Sequence, residues 1–556
     1  MPKILINEVD KTSAGTPGRY GNYAVLITGY KQTAYTEEEI NKGLRETQAK
    51  NREELCDENG VFEFSSKQAF LDTIGVADVA KKDSTGTNTV ERHYGNRMAI
   101  ELLNLGYSII YKTIDAVSDM NTEAFWEVFK DKASYDFRFV SHGMLDTCYD
   151  STTYKTLQVR LKEINEAIGK LAKIKEEAAA DVAENSQLKI LDRCVAHFAE
   201  LVESGYTGFV DNSGLAYSNF VVAAGINEET FEPLADATTG LPKNKEEIED
   251  RIAALDDTNF TVGVYNEING LIAKLATYRA DSKEAIPGRG DCVALIELDE
   301  NEYCGSVPSY KPEALIIDGI NNMSTITSAE GPYCAMTVPS VYYKMSGQKV
   351  KFPGAFHYLA CFMNSMISGF AEWYAAAGYT RGVSSYIIDH TSVKLGEIAI
   401  NALEPRNIED QAKQPKFACN VIANFRGSYY LWGNRTAAKL NDAKSTESDL
   451  TAEHFLNIRQ LCSTIKKQLY TSCRRFTFDP NSDTLWFNFV NSVTPTLDAM
   501  KADQGIRDYR IVKVATDKKA TLEAIIRIIP IEAVEDFVIT VSLEDSFGGI
   551  SVTAEG

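Results

Sequence analysis

The chain has 556 residues, 44% of them hydrophobic, enough to bury a sizeable core and to divide into several domains. Lysine and arginine number 57 against 78 acidic residues, a formal charge of -21, and a surface of that sign repels nucleic acid and anionic lipid, which argues against a genome-coating role. Ten cysteines are scattered from Cys56 to Cys473 with no Cys-x-x-Cys pair, the usage of reduced buried thiols in a reducing cytosol rather than of a disulfide frame or a zinc site.

Lys3, Glu8, Asp10 and Lys11 interrupt the N-terminus, so a signal peptide is not expected. Residues 3–9 read as a short strand, and 10–22, with Gly15, Pro17, Gly18 and Gly21, as a flexible linker. A buried strand is expected only at 23–30. A strand on a leash suits an arm exchanged between copies, and equally an edge strand returning to its own sheet.

Residues 66–70 start a helix, 96–105 form a second with Met98, Ile100, Leu102 and Leu103, and 106–112 leave it as a strand. Residues 136–140 add another strand. Helix, glycine and strand in repeated order imply an α/β layer. From 155 to 205 the character changes. Leu157, Leu161, Ile164, Ile168, Leu171 and Ile174 recur at fours and threes, and a second helical run follows Ser186. About two and a half heptads suit an intramolecular hairpin better than a coiled-coil dimer, which normally needs three or four. Residues 208–259, with two strand-like pieces and a polar run at 238–250, read as a surface insertion.

A helix is expected at 265–280, strands at 292–298 and 333–339, and a proline turn at Pro353-Gly354. The longest apolar stretch, 356–379, is broken by His357, Asn364 and Glu372. A carboxylate at the centre of a membrane span costs about 2.5–3.5 kcal/mol on insertion scales, so this stretch is read as buried core. Residues 424–436 form a glycine turn feeding a short buried strand that ends at Gly433. Residues 449–469 carry Phe455, Ile458, Leu461, Ile465 and Leu469 at helical spacing, 476–481 read as a strand stopped by Pro480, and 484–501 as an aromatic helix that Pro495 should kink or interrupt. Strand-like runs at 509–514, 522–529 and 537–543 close the chain, the last alternating Phe537, Ile539, Val541 and Leu543 against Val538, Thr540 and Ser542.

These C-terminal words, in this order, resemble the C-terminal domain of contractile-tail sheath proteins: Trp432-Gly433-Asn434-Arg435-Thr436, then Phe478-Asp479-Pro480-Asn481 followed by Leu485-Trp486, then paired strands ending at Glu544-Asp545. Ala375-Ala376-Ala377-Gly378-Tyr379-Thr380-Arg381-Gly382 matches a small-residue segment of the same family, and Asn104-Leu105-Gly106 a looser form of its helix stop. The resemblance covers 1–145 and 260–545. It implies an α/β (α+β) multidomain fold: an N-terminal arm at 1–22, an α/β sheath domain from 23–145 and 260–345, and a mixed-sheet C-terminal sheath domain at 346–556 ending in an arm strand; residues 146–259, with the helical hairpin, are an insertion the resemblance does not explain.

It also favours exchanged arms, with Ile4, Leu5, Ile6 and Val9 in one and Phe537, Ile539, Val541 and Leu543 in the other. The helix at 484–501 would face the tube through Trp486, Asp498 and Lys501. The implied partners are further copies of the chain in stacked hexameric rings, a tail tube protein, and baseplate and tail terminator proteins, with no nucleic acid, no membrane insertion and no cofactor. The implied place is the virion tail sheath, assembled in a bacterial host cytoplasm. A tail-like bacteriocin or an extracellular contractile injection system would use the same fold, and a cytosolic α/β enzyme is the remaining alternative.

Catalytic motifs are missing. There is no Gly-x-x-x-x-Gly-Lys-Ser/Thr, no His-Glu-x-x-His and no Gly-x-Ser-x-Gly. Asp479-Pro480-Asn481-Ser482-Asp483 imitates the start of a calcium loop but has Thr484 at the sixth position and Val490 at the twelfth. Ser384, Ser385, Asp389 and His390 hold the ingredients of a triad without a relay to join them, and Arg289-Gly290-Asp291 reads as a plain loop turn.

Overall fold

Strand β1 (Ala24–Tyr30) is buried at every position but its last. Ala24 and Leu26 enter one apolar cluster and Val25 and Ile27 another, so both faces of the strand are covered and it reads as a continuous apolar run. It lies near the middle of an eight-stranded sheet in a computed structural model that describes residues 23–82, 88–143, 262–279, 286–298, 311–345, 347–405, 408, 414–439, 450–516, 520–531 and 533. The arm strands expected at 3–9 and 537–543 and the helical hairpin expected at 155–205 lie outside these residues.

After β1 the chain forms α1 (Glu37–Asn41), α2 (Leu44–Leu55), β2 (Val61–Phe64), α3 (Lys67–Leu71), β3 (Asp78–Lys82), β4 (Asn88–Arg92), α4 (Tyr94–Asn104), β5 (Ser108–Ile114), α5 (Glu123–Glu127) and β6 (Phe139–Val140). Then come α6 (Val262–Ala276), β7 (Tyr278–Arg279), β8 (Ile286–Pro287), β9 (Val293–Ile296), α7 (Pro312–Asn322), β10 (Cys334–Val338), β11 (Val341–Met345), β12 (Gln348–Phe352) and α8 (Gly354–Ile367). The chain ends with α9 (Gly378–Arg381), β13 (Ile388–Thr391), α10 (Glu397–Leu403), β14 (Asn420–Phe425), β15 (Ser428–Trp432), α11 (Leu456–Arg475), α12 (Asp483–Ala502), β16 (Ile506–Val514) and β17 (Glu523–Pro530).

The large sheet runs β15-β14-β10-β9-β6-β1-β5-β2. Its six inner strands are parallel and its two outermost, β15 and β2, antiparallel to their neighbours. Helices α6, α7 and α10 cover one face through Ile272, Ile316 and Leu403, and α4 and α8 the other through Met98, Leu102, Phe356 and Leu359. The architecture is therefore α/β, as expected, and strands from both sides of residue 346 share its main sheet. No helix of the described residues is long and apolar enough to cross a membrane.

Local signals set the ends of several elements. At the end of α4, Tyr107 N–H donates to Leu102 O at 3.0 Å and Gly106 N–H to Leu103 O at 3.1 Å, with Gly106 at φ +95°. That is the Schellman stop, and glycine holds it because a left-handed residue there pays no Cβ penalty. Between β14 and β15, Arg426 and Gly427 have φ 53° and 91°, the twist that matches a two-residue hairpin to right-twisted strands.

Four expectations change. Residues 476–481 are not a strand: Phe476 caps α11, the turn after it leaves Phe478 87% exposed, and among the described residues no strand pairs with it. Strand β15 is an edge strand with only Leu431 fully buried. Helix α12 runs unbroken through Pro495. Both Pro495 and Asn491, whose carbonyl loses its usual donor, face solvent, where water can replace the bond. Helix α6 ends at Ala276 instead of 280, where the Thr277 hydroxyl donates back to Ala273 O at 2.7 Å and the chain turns into β7.

Candidate assembly interface

Open parallel sheets hold ligands at the carboxyl ends of their strands, where successive connections leave in opposite directions. Here that point lies at β1, flanked by β5 on one side and β6 on the other. The crevice is filled by the protein itself. Thr28 Oγ1 donates to His142 O at 2.5 Å, Ser141 Oγ to Glu297 Oε1 at 3.1 Å, Tyr111 Oη to Asn96 Oδ1 at 2.5 Å and Asn269 Nδ2 to Glu297 O at 2.7 Å. All these residues are buried, and a Cβ added at Gly95 would meet Thr28 O at 2.0 Å. Burial pushes His142 down to about 4, so it is neutral at pH 7.

The remaining sequence candidates are structural. His390 Nδ1 lies 2.8 Å from Asp389 Oδ2, but Asp389 also binds Lys349 at 2.8 Å and Lys344 at 3.3 Å, and the imidazole stacks on Tyr342. The Ser384 hydroxyl donates to Tyr386 O, so these ingredients form no relay. Arg289-Gly290-Asp291 is more than a turn. Arg289 is buried, donating to both Asp291 oxygens and to the carbonyls of Phe129 and Tyr135 at 2.9 and 2.8 Å. Burial raises the Asp291 pKa, but Arg289, Lys467 and Lys132 outweigh it and hold the carboxyl at about 2. No cysteine among the described residues forms a disulfide, and burial pushes Cys292 up to about 12. Among the described residues no cluster of His, Cys, Asp or Glu is placed to hold a metal.

The C-terminal part of the chain is built as a platform. Helix α11 lies against the residues that lead into β6, β9 and β10. Arg138 donates to Gln460 Oε1 at 3.1 Å and Thr464 Oγ1 at 2.7 Å, Lys466 Nζ to Gly290 O at 2.8 Å, and the Arg459 guanidinium sits 4.2 Å from the centre of the Tyr333 ring. Its other side, with α12, forms a third apolar cluster through Leu461, Ile465, Phe489, Val493 and Leu497. The apolar spacing of this helix was legible in the sequence. Its second, polar buried face was missed, because Arg459, Gln460, Thr464 and Lys466 look like surface residues until the sheet beneath them is known.

On α12 sits the β16–β17 hairpin, a two-stranded sheet of its own. Tyr509, Ile511, Ile526 and Ile528 face the helix. Among the described residues no third strand pairs with either outer edge, so two rows of backbone donors and acceptors stand open. The structure brings Trp486, Asp498 and Lys501 together along the hairpin: Trp486 is half-buried with Lys513 5.9 Å from its ring, Asp498 accepts from Tyr509 Oη at 2.7 Å, and Lys501 donates to Asp508 at 2.7 Å. Phe487, on the same helix, is 62% exposed.

No family model and no curated protein matches the chain. Solved structures that resemble it belong to contractile injection systems. A chain of the anti-feeding prophage baseplate is 9% identical, with 98% of this chain and 99% of that one covered and a TM-score of 0.47. The anti-feeding prophage helical sheath in the contracted state is 9% identical over 98% and 99%, TM-score 0.46, and the PVC sheath complex in the contracted state 9% over 98% and 98%, TM-score 0.44. At TM-scores under 0.5 these likenesses carry no functional weight.

Proposed function

We propose that the chain is a subunit of a contractile tail sheath, a structural protein that polymerises as stacked hexameric rings around a tail tube and shortens to drive the tube through a target envelope. The observation that carries this reading is the β16–β17 hairpin: a pair of strands that no third strand joins among the described residues, on a platform locked into the main sheet, in a chain whose residues 3–9 and 537–543 have a strand-like pattern. Strands such as these, with Ile4, Leu5, Ile6 and Val9 in one and Phe537, Ile539, Val541 and Leu543 in the other, join a neighbour's sheet by β-augmentation. Four backbone hydrogen bonds at about 0.5–1.5 kcal/mol net each, with burial of the apolar face, make a durable joint. The linker at 10–22 lets the joined bodies slide and turn, and contraction then releases energy held in a metastable lattice without a nucleotide.

In this reading α12 faces the tube, with Asp498, Lys501 and Trp486 on or beside the contact, and baseplate and terminator proteins close the two ends. The assembly forms in a bacterial cytoplasm and works in a virion tail. The same geometry serves the sheath of a tail-like bacteriocin or an extracellular contractile injection system. The filled crevice at β1 speaks against the alternative of a cytosolic α/β enzyme.

Negative-stain electron microscopy of the concentrated full chain tests the proposal. Tubes or stacked rings are expected, and variants lacking residues 1–10 or 537–556 should stay folded without polymerising. Polymerisation unchanged in both truncations would overturn arm exchange.

A further inference from the structure

The small sheet β12-β11-β13 has one covered face and one open face. Val341, Tyr343 and Phe352 enter the apolar cluster beneath it. The alternate positions point the other way: Tyr342 stands opposite Lys351 and His390, and Lys344 opposite Lys349. The Lys344 and Lys349 side chains are 60% and 65% exposed. Like charges directly opposite in a ladder destabilise it, and Asp389 offsets this pair. It is the extra residue of a bulge, between Ile388 opposite Tyr343 and His390 opposite Tyr342, and its carboxylate binds Lys344 at 3.3 Å and Lys349 at 2.8 Å. The three strands thus carry three lysines and one carboxylate, a basic face on a chain of formal charge -21.

A surface of the opposite sign lies elsewhere on the chain. Gln48, Asn51 and Arg52 donate to the carbonyls of Leu71, Asp72 and Thr73, which fixes one side of α2 against the end of α3 and the turn after it. By the helical period Glu46 and Glu53 share the opposite side, and both are exposed without an ion pair among the described residues. Lys42 and Lys50, the lysines of this helix pair, are taken by Glu38 and Glu54. From 37 to 58 eight carboxylates stand against four cations, so the outer side of α2 is acidic.

We propose that the lysine face of the β12-β11-β13 sheet docks on the acidic outer side of α2 of a second copy; this rests on the sheath reading above, which makes a second copy the partner. Two chains at -21 repel each other in most orientations, and a local basic face selects the orientation in which they attract. Ile387, 69% exposed beside the lysines with its carbonyl accepting from Lys344 N–H at 2.9 Å, adds apolar area to a contact that charge orients. The small sheet continues from the carboxyl end of β10, whereas α2 is tied to the end of α3, so the two surfaces are different patches of one chain. A contact that joins them is head-to-tail, and head-to-tail contacts propagate into rings or helical polymers instead of closing a pair.

The test uses the full chain, with sedimentation velocity to read the concentration at which copies associate and circular dichroism with thermal melting to establish folding. Lys344→Glu with Lys349→Glu in one variant, and Glu46→Lys with Glu53→Lys in another, should each raise that concentration at least about ten-fold. An equal mixture of the two should associate at the wild-type concentration, because each variant supplies the surface the other has lost. Salt at about 1 M, where the screening length falls to about 3 Å, should weaken association of the wild type. If the reversed sheet variant does not fold, Lys344→Gln with Lys349→Gln takes its place, with a smaller rise expected. A folded variant of either surface that associates as the wild type does, a mixture of the reversed variants without recovery, or a wild type that stays monomeric in low salt overturns the proposal. The two readings separate. If tubes form and the charge variants form them at the wild-type concentration, only the docking proposal falls. If reversal and mixing behave as expected but the wild type forms no tubes or stacked rings, the sheath reading falls and the contact between copies stands.

Discussion

Arg138 and Glu372 lie 234 positions apart and meet in the interior, Nη2 to Oε1 at 3.4 Å, with neither side chain exposed to solvent. Thr464 Oγ1 bridges them, 2.7 Å from Arg138 and 3.3 Å from Glu372. The residue leading into β6, the loop after α8 and helix α11 are thereby tied in one polar knot.

Removing one partner leaves an uncompensated buried charge, and Glu372→Ala should cost about 3–5 kcal/mol in urea unfolding. Replacing both, Arg138→Met with Glu372→Leu, should cost clearly less, since the pair's desolvation is relieved together. Equal losses in the two variants would mean that the helix is held by apolar contacts and not by this knot.

His142 makes stability depend on pH. Its folded pKa is lowered from 6.5 to about 4, chiefly by burial, with a hydrogen bond to Asn269 opposing. The unfolded chain therefore takes up the proton first. Stability is fully present above pH 6.5, falls as the pH drops from 6.5 towards 4, and loses about 3 kcal/mol from this group across that window. His357, lowered to about 3 by burial and 2.5 Å from Tyr343 Oη, acts in the same direction. His142→Asn should make the acid limb of the stability curve shallower by about 1.4 kcal/mol per pH unit.

Two glycines of the same helix region should behave differently. Gly106 sits at φ +95° with no atom within 4 Å of a would-be Cβ, so Gly106→Ala meets only backbone strain, about 1 kcal/mol. At Gly95 a Cβ would lie 2.0 Å from Thr28 O, in backbone that cannot swing aside. Gly95→Ala should shift α4 off β1 and cost several times as much, read as a loss of soluble, cooperatively melting protein.

Pro495 stands on the exposed side of α12. Pro495→Ala restores a helix hydrogen bond and should stabilise the chain by about 1–3 kcal/mol in thermal melts. No gain would show that the helix is already bent at this point by its packing.

The sequence by itself determined what local chemistry decides. The unbroken apolar run at Ala24 to Ile27 could only be a doubly covered strand, the glycine at 106 ended α4 with its own hydrogen bonds, and Arg426-Gly427 turned β14 into β15. The strands at 509–514 and 522–529 were legible too, as strand-like runs, but not that they form a two-stranded sheet apart from the main one. Only the tertiary structure decided which sides of these elements meet. Phe476 and Phe478 carry the composition of a strand but join no ladder among the described residues, and β15, read as buried, is the rim of the sheet. Arg459, Gln460, Thr464 and Lys466 are polar residues made interior because Arg138, Gly290 and Tyr333 supply partners from 126 to 326 positions away. Burial of a polar group is favourable only where such partners wait, and one helix seen alone does not reveal them.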